Sequence, residues 1–469
     1  MAPTPLAPSW LRVPDDPNAL VPGLWSRTVV RDAVDGALSV GGVPVTALAG
    51  RFGTPLYVVD EAEARARAVD VRAAFQDAFA GVGTAAKVYY AGKAFLSIEV
   101  AWWMAEAGLN IDVCSGGELA VALAAGVGAD RLGFHGNNKS EAEIEAVVSA
   151  GVGAIVIDSL QEIDRVAAAA SRHGVVQRVR LRVNSGVHAH THAFLATAHD
   201  DQKFGIALSD AAAAARIREH ESLAFLGLHG HIGSQIFGAD GFAESASRLL
   251  AVHRELLAGG DVPELNLGGG FGIAYTAADD PMPIGELAHR IAETVAAGCA
   301  RLGIPLPVVA FEPGRSIIGC AGLTLYTVGM TKEVLAATQD GETAVRRYVS
   351  VDGGMSDNAR PALYGADYSA RIAGRVSAAP PVLVRVAGRH CESGDIVVNA
   401  EYLPADTVPG DLLAVPATGA YCWTLASNYN YLGRPAVVAV RDGEARVIVK
   451  GESIEDLLAR DAAYEGANG

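Results

Sequence analysis

Between residues 87 and 311 the chain alternates short, strand-like runs with Ala-rich stretches of helical spacing. The runs are Lys87–Ala91, Asn110–Cys114, Leu132–Gly136, Ala154–Asp158, Arg178–Val183, Leu226–His231, Glu264–Leu267 and Val308–Phe311. Glu61–Ala80 has Ala and Val at helical spacing with interleaved Arg and Glu, and reads as a helix before the first strand. Gly116–Ala125 and Glu141–Ala150 are helix-like, and Ser140 and Ser159 stand where N-caps belong. Strand–helix alternation argues a parallel sheet, and eight repeats argue a closed (β/α)8 TIM-type barrel.

Polar residues and glycines collect at the C-terminal ends of these strands: Lys93, Asp112, His135, Asp158, Asn184, His231, Gly268–Gly270 and Glu312. In such a barrel that end is the catalytic face. Polar residues scattered over a surface would not keep this phase.

After about residue 320 the texture changes. Leu323–Val328, Arg347–Val351, Val382–Val386, Asp395–Val398, Leu412–Val415, Ala436–Arg441 and Ala445–Val449 are short β-rich runs punctuated by Gly, Pro and Asp. They predict a C-terminal all-β domain, and strand-like pieces in Ser26–Leu48 predict that an N-terminal segment joins it. The expected division is an extension over 1–24, strands packing with the β domain over 25–54, the barrel over 55–320 and the β domain over 321–469.

Composition narrows the function. A net charge of −16 argues against nucleic acid or an anionic membrane as partner. No apolar stretch is long enough to cross a bilayer, and the start Met1-Ala-Pro-Thr-Pro-Leu lacks the basic and apolar regions of a secretory signal. Cys114, Cys299, Cys320, Cys391 and Cys422 are odd in number and widely spaced, which suits reduced thiols in a cytoplasmic protein.

Several short segments carry chemistry. Lys93, one of few lysines in an Arg-rich chain, closes Lys87-Val-Tyr-Tyr-Ala-Gly-Lys93. A lysine at a barrel mouth is either a surface group or a Schiff-base former, since partial desolvation favours the nucleophilic amine. Gly268-Gly269-Gly270 follows strand seven, where bare backbone N–H groups can turn towards a phosphate or simply make a tight turn. Glu312-Pro313-Gly314-Arg315 presents a carboxylate suited to a protonated pyridine nitrogen and a guanidinium suited to an anion. In His229-Gly-His231-Ile-Gly-Ser234, a histidine can stack on an aromatic cofactor, fill the core or bind a metal, and His188-Ala-His-Thr-His192 adds to the metal reading. No downstream His and Asp pair completes a metal set, so no metal is expected. In the β domain, Gly388-Arg-His-Cys391-Glu392 sets a thiol beside a carboxylate, either a proton donor with an ammonium-binding group or a small core residue with a neighbour. Asp357-Asn-Ala-Arg360-Pro-Ala-Leu-Tyr364 and Tyr421 are further polar-aromatic clusters.

Taken together, these motifs closely resemble the fold-type III pyridoxal-phosphate decarboxylases, and among them the actinobacterial diaminopimelate decarboxylases. The likeness runs from about Thr54 to Val449. It includes Tyr90-Ala-Gly-Lys-Ala-Phe, Asp112-Val-Cys-Ser-Gly-Gly-Glu-Leu, His135-Gly-Asn-Asn-Lys, His190-Thr-His-Ala-Phe with Asp201-Gln-Lys-Phe-Gly, His231-Ile-Gly-Ser-Gln, Asp352-Gly-Gly-Met-Ser-Asp and His390-Cys-Glu-Ser-Gly-Asp. Gly92 departs from the pattern, since relatives often carry Ala there. The resemblance implies pyridoxal 5'-phosphate as cofactor, with Lys93 as Schiff-base lysine, Glu312 on the pyridine nitrogen and His231 stacked on the ring. Asp112, Ser234, Gly268–Gly270, Glu312–Arg315 and Tyr421 would bind the cofactor. Arg315, Arg360 and Tyr364 would take substrate carboxylates, with Tyr421 near them, Cys391 would donate a proton and Glu392 would recognise the distal ammonium. The implied reaction converts meso-diaminopimelate to L-lysine and CO2 in a homodimer with shared active sites. The alternatives on this scaffold are decarboxylases of ornithine, arginine or carboxynorspermidine.

Overall fold

The computed structural model describes residues 4–187, 203–210, 213–338 and 340–464. The His188–His192 cluster and the His190–Phe194 and Asp201–Gln202 parts of the quoted motifs lie outside the described residues. The chain forms two compact units that interleave along the sequence: Arg65–Gly272 with Pro281–Ile317, and Met1–Ala64 with Ile273–Asp280 and Ile318–Gly469.

The first unit is the barrel. Its strands are Ala86–Ala91, Asn110–Val113, Leu132–Phe134, Ala154–Ile157, Gln177–Asn184, Leu223–His229, Glu264–Asn266 and Val308–Phe311. Each pairs in parallel with the next, and strand eight pairs back to strand one, closing the cylinder. All eight expected strands are present. Most of their residues are buried, polar ones such as Arg180 and Glu264 included, because both faces are covered, by side chains inside and helices outside. Helix Glu61–Gly81 supplies Phe75, whose ring stacks on Phe311 of strand eight with centroids 4.0 Å apart. Ser140 caps helix Glu141–Ala150 through a reciprocal capping box with Glu143, and Gly151 ends that helix in the left-handed region. Ser159 also holds an N-cap position, before Leu160–His173, but its side chain makes no cap bond.

Low in the barrel interior the charges pair with one another. Glu264 accepts from Arg180 Nε at 3.0 Å and Nη2 at 2.7 Å, pairs with Lys87, and Arg180 also donates to the Tyr89 hydroxyl at 2.9 Å. Removing one partner would strand a buried charge, at a typical cost of about 3–5 kcal/mol.

The second unit is β-rich. A sheet runs Ile396–Pro404, Pro381–Ala387, Thr343–Val351, Gly322–Ala337, Leu56–Asp60, Val437–Arg441, Glu444–Val449, and Leu412–Pro416 pairs with both Gly322–Ala337 and Arg371–Ile372. Leu56–Asp60 thus lies between Gly322–Ala337 and Val437–Arg441 in this sheet. The N-terminal strands Leu38–Val40 and Val43–Pro44 and helix Val45–Phe52 share its core through Leu38, Val45, Leu48, Leu56, Leu323 and Val438. Among the described residues, no helix is long and apolar enough to cross a membrane.

Candidate active site

Strand geometry sets the residues of the barrel mouth. Strand one ends at Ala91 and a single 3-10 turn, Gly92–Ala94, carries the exposed Lys93. A methyl at Gly92 would sit 2.9 Å from the Asp112 carbonyl oxygen, so glycine relieves a tight approach at this departure from the family pattern. Asp112 lies within strand two, His135 directly follows strand three, His229 ends strand six and Glu312 directly follows strand eight.

These four groups converge. His229 Nε2 lies 3.0 Å from Glu312 Oε1, and His135 Nε2 lies 3.6 Å from that oxygen and 3.1 Å from Asp112 Oδ1. Asn266, the last residue of strand seven, donates from Nδ2 to Glu312 Oε1 at 2.7 Å. Burial works against ionising Glu312, but the histidines His229 and His135 outweigh it and hold the carboxyl well below the usual range. Asp112 goes the other way: burial, then the Glu312 charge, push it well above. Two buried carboxyls sharing a histidine neighbour are therefore driven apart, one ionised and one favouring its proton. Burial lowers all three histidines, His135 to about 4, against the opposing pull of Glu312, and Lys93 adds to the lowering of His231.

The glycine loop hangs on the same cluster. Gly268 N–H donates to Asn266 Oδ1 at 2.8 Å, Glu312 N–H donates to the Gly268 carbonyl at 2.9 Å, and Gly269 N–H donates to His231 Nδ1 at 3.3 Å. A Cβ at Gly268, Gly269 or Gly270 would meet the carbonyl oxygens of Gly230, Glu312 and Gly233 at 2.5, 2.1 and 2.3 Å, and Gly268 and Gly270 have φ of +70° and +107°. Only glycine serves here. Alongside, Arg315 Nη2 donates to Ser234 Oγ at 2.8 Å, so a hydroxyl and a guanidinium are held together next to bare backbone. Pro313 and Gly314 bring this turn against strand one: Ala91 N–H donates to the Pro313 carbonyl at 3.0 Å, and a Cβ at Gly314 would be 2.9 Å from Ala91 O.

The remaining expected residues belong to the β-rich unit. Cys391 and Glu392 are exposed. The Cys391 N–H donates to Asn430 Oδ1 at 3.1 Å, and Glu392 accepts from the Gly394 N–H at 3.3 Å. Their loop is anchored by Asp395, which accepts from His390 N–H at 2.7 Å and Met355 N–H at 2.6 Å, tying it to the Asp352–Asp357 turn. Arg360 opens the short helix Arg360–Tyr364 and is buried, whereas Tyr364 at its end is 68% exposed. Tyr421 is half-buried with φ +61°, a strained conformation for a residue with a side chain.

Thus Asp112, His231, Ser234, the three glycines, Glu312 and Arg315 meet within the barrel unit, while Arg360, Tyr364, Cys391, Glu392 and Tyr421 stand in the other. Sequence reasoning missed Asn266, which binds both Glu312 and Gly268. Its one signal was an amide side chain ending strand seven two residues before the three glycines. His135, His229 and Glu312 have donor atoms within 4.8 Å of one another, a metal-like grouping built from the same carboxylate.

The barrel region matches the family described as "Pyridoxal-dependent decarboxylase, pyridoxal binding domain" over residues 67–319. Over 449 residues the chain is 49% identical to diaminopimelate decarboxylase of Mycobacterium tuberculosis, covering 94% of this chain and 98% of that protein. It is 44% identical over 435 residues to the Bacillus subtilis enzyme of the same name, covering 92% and 96%. The crystal structure of diaminopimelate decarboxylase from M. jannaschii in complex with L-lysine superposes with a TM-score of 0.85 at 31% identity, covering 93% of this chain and 98% of that one.

Proposed function

The chain belongs to the diaminopimelate decarboxylase family of pyridoxal-dependent decarboxylases, and from that premise we propose how its own residues carry out the reaction. The enzyme is a pyridoxal-phosphate-dependent carboxy-lyase. It converts meso-2,6-diaminopimelate and one proton to L-lysine and CO2, the last step of lysine biosynthesis.

The observation that carries this reading is the anionic Glu312, fixed by Asn266 and His229 beside a glycine cradle and a strand-end lysine. That set fits pyridoxal phosphate: Lys93 would supply an amine for the aldehyde, and Gly268–Gly270, Ser234 and Arg315 would hold the phosphate. Glu312 would keep a proton on the pyridine nitrogen, His231 would lie against the ring, and Asp112 and Tyr421 would also bind the cofactor. When bound, the cofactor supplies an electron sink for the breaking carbon–carboxylate bond. The protein orients that bond, excludes water and delivers the replacing proton. Cys391 delivers it from Sγ to the carbon that lost CO2. Arg360 and Tyr364 hold the retained carboxylate, and Glu392 takes the distal ammonium.

A decarboxylase of ornithine or arginine would share the barrel residues. Arg360 favours the diacid, because neither of those substrates has a second carboxylate at its remote end. The decisive assay measures CO2 and lysine from each diaminopimelate isomer and from ornithine and arginine. Turnover of the meso isomer alone is expected, and equal turnover of ornithine would defeat the assignment.

The working form is a two-fold homodimer whose sites take Lys93 from one subunit and Cys391 from the other. What supports it is that Cys391 and Glu392 are exposed on a unit separate from the barrel that bears Lys93. Mixing inactive Lys93→Ala and Cys391→Ala chains should restore roughly a quarter of wild-type activity, since about half the dimers are mixed and each has one intact site. Mixed dimers that form and stay inactive would put both residues on one subunit. The five free cysteines suit a reducing, cytoplasmic setting.

A further inference from the structure

Arg360 is only 6% exposed, yet among the described residues no carboxylate lies within ion-pairing distance of its guanidinium. A buried guanidinium without an anion is costly, so something must compensate for it. Two tyrosines do so in part. Arg360 Nη1 donates to the Tyr368 hydroxyl at 2.5 Å, and the guanidinium carbon lies 4.4 Å from the centre of the Tyr275 ring and 5.4 Å from that of Tyr368. The two rings meet edge to face at 5.0 Å, and both are buried. Behind them Cys422 Sγ contacts the Tyr368 hydroxyl at 3.6 Å and Asn358 Oδ1 at 3.6 Å, while Arg360 N–H donates to Asn358 Oδ1 at 3.4 Å. The clamp constrains the guanidinium through one nitrogen and two rings but supplies no formal negative charge.

Tyr275 lies in Ile273–Asp280, the short stretch that continues directly from the glycine loop and belongs to the β-rich unit. We propose that Tyr275 and Tyr368 are positioning residues that fix the Arg360 guanidinium in the one orientation that receives the carboxylate the substrate keeps. Selectivity for a ligand with a remote carboxylate then comes from this clamp acting through Arg360. Neither tyrosine touches the reacting carbon. The inference rests on the diaminopimelate reading for the role of Arg360, and adds to it the parts that aim the group.

The test uses the holoenzyme and two ligands that differ by one carboxylate: L-lysine, which has it, and cadaverine, which lacks it. Tyr368→Phe removes the hydroxyl and keeps the ring; Tyr275→Leu removes the other ring. Calorimetry with Tyr368→Phe should show about tenfold weaker L-lysine binding, the worth of a hydrogen bond to a charged group, with cadaverine binding unchanged. The KM for meso-diaminopimelate should rise by a similar factor with kcat within about twofold of wild type. Tyr275→Leu should give the same contrast, about three- to tenfold, from the lost cation–π contact. Equal weakening of both ligands would reduce the tyrosines to a structural role, and unchanged lysine binding in Tyr368→Phe would overturn the proposal outright. Should Tyr275→Leu not fold, Tyr368→Phe decides alone. Wild-type enzyme that ignores meso-diaminopimelate would defeat the assigned reaction, while the lysine–cadaverine contrast would still judge the clamp.

Discussion

At the barrel mouth the Glu312 carboxylate is met by Asn266, His229 and His135, whereas in the β-rich unit the Arg360 guanidinium is met by a phenol oxygen and two rings. The first charge is answered inside the protein by the Asn266 amide and two adjacent histidine rings. The second is buried with dipoles and ring quadrupoles but, among the described residues, no counter-charge. The contrast fits their proposed tasks. A group that tunes a resident cofactor must keep its charge before substrate arrives, so its partners are built in. A group that selects a substrate discriminates best when its missing partner is the substrate itself, because a ligand without that group leaves the charge unanswered.

The comparison can be broken at several points, beginning with the largest expected effect. Lys93→Ala should abolish turnover and the near-visible absorbance of the holoenzyme while circular dichroism stays native; borohydride-trappable cofactor in that variant would move the anchoring lysine elsewhere. Glu312→Gln should bind cofactor but lose about 10²–10³-fold in kcat, the usual worth of a preorganised charged contact. Near-normal kcat would show that the compensated carboxylate is dispensable.

A third test uses pH. Burial lowers His135 from 6.5 to about 4, so protonation favours the unfolded chain. Its contribution to stability is complete above about 6.5 and is lost as pH falls towards 4, by on the order of 3 kcal/mol. Denaturant titrations should show a steeper acid-side loss in wild type than in His135→Gln; parallel curves would mean that His135 is already charged when folded. The smallest effect concerns Arg360. L-lysine at a hundredfold over its Kd should stabilise wild-type holoenzyme by about 2.7 kcal/mol. Arg360→Met should lose most of that gain while the ligand-free protein keeps its melting temperature. A large loss without ligand would show that Arg360 is fully compensated within the fold and would remove its contrast with Glu312.

The amino-acid sequence by itself determined the eight barrel strands, the phase that puts Lys93, Asp112, His231 and Glu312 at one end, and the glycine loop after strand seven. These are local properties: short strand-like runs, helical spacing between them, and residue types that a turn or a close backbone approach requires. The β-rich unit was legible in outline, but the sequence reading did not reveal Leu56–Asp60 as a central strand of its sheet, nor Arg371–Ile372 as a short one. Only the tertiary structure decided who partners whom. Asn266 reaches Glu312 across 46 residues because strands seven and eight are neighbours in one register, and no periodicity in the chain encodes that pair. Tyr275 meets Arg360 and Tyr368 because Ile273–Asp280 leaves the barrel unit and packs in the other. The reason is physical: spacing along a chain fixes which face a side chain takes, whereas its burial, its hydrogen-bond partners and the shift of its pKa depend on atoms brought near by packing.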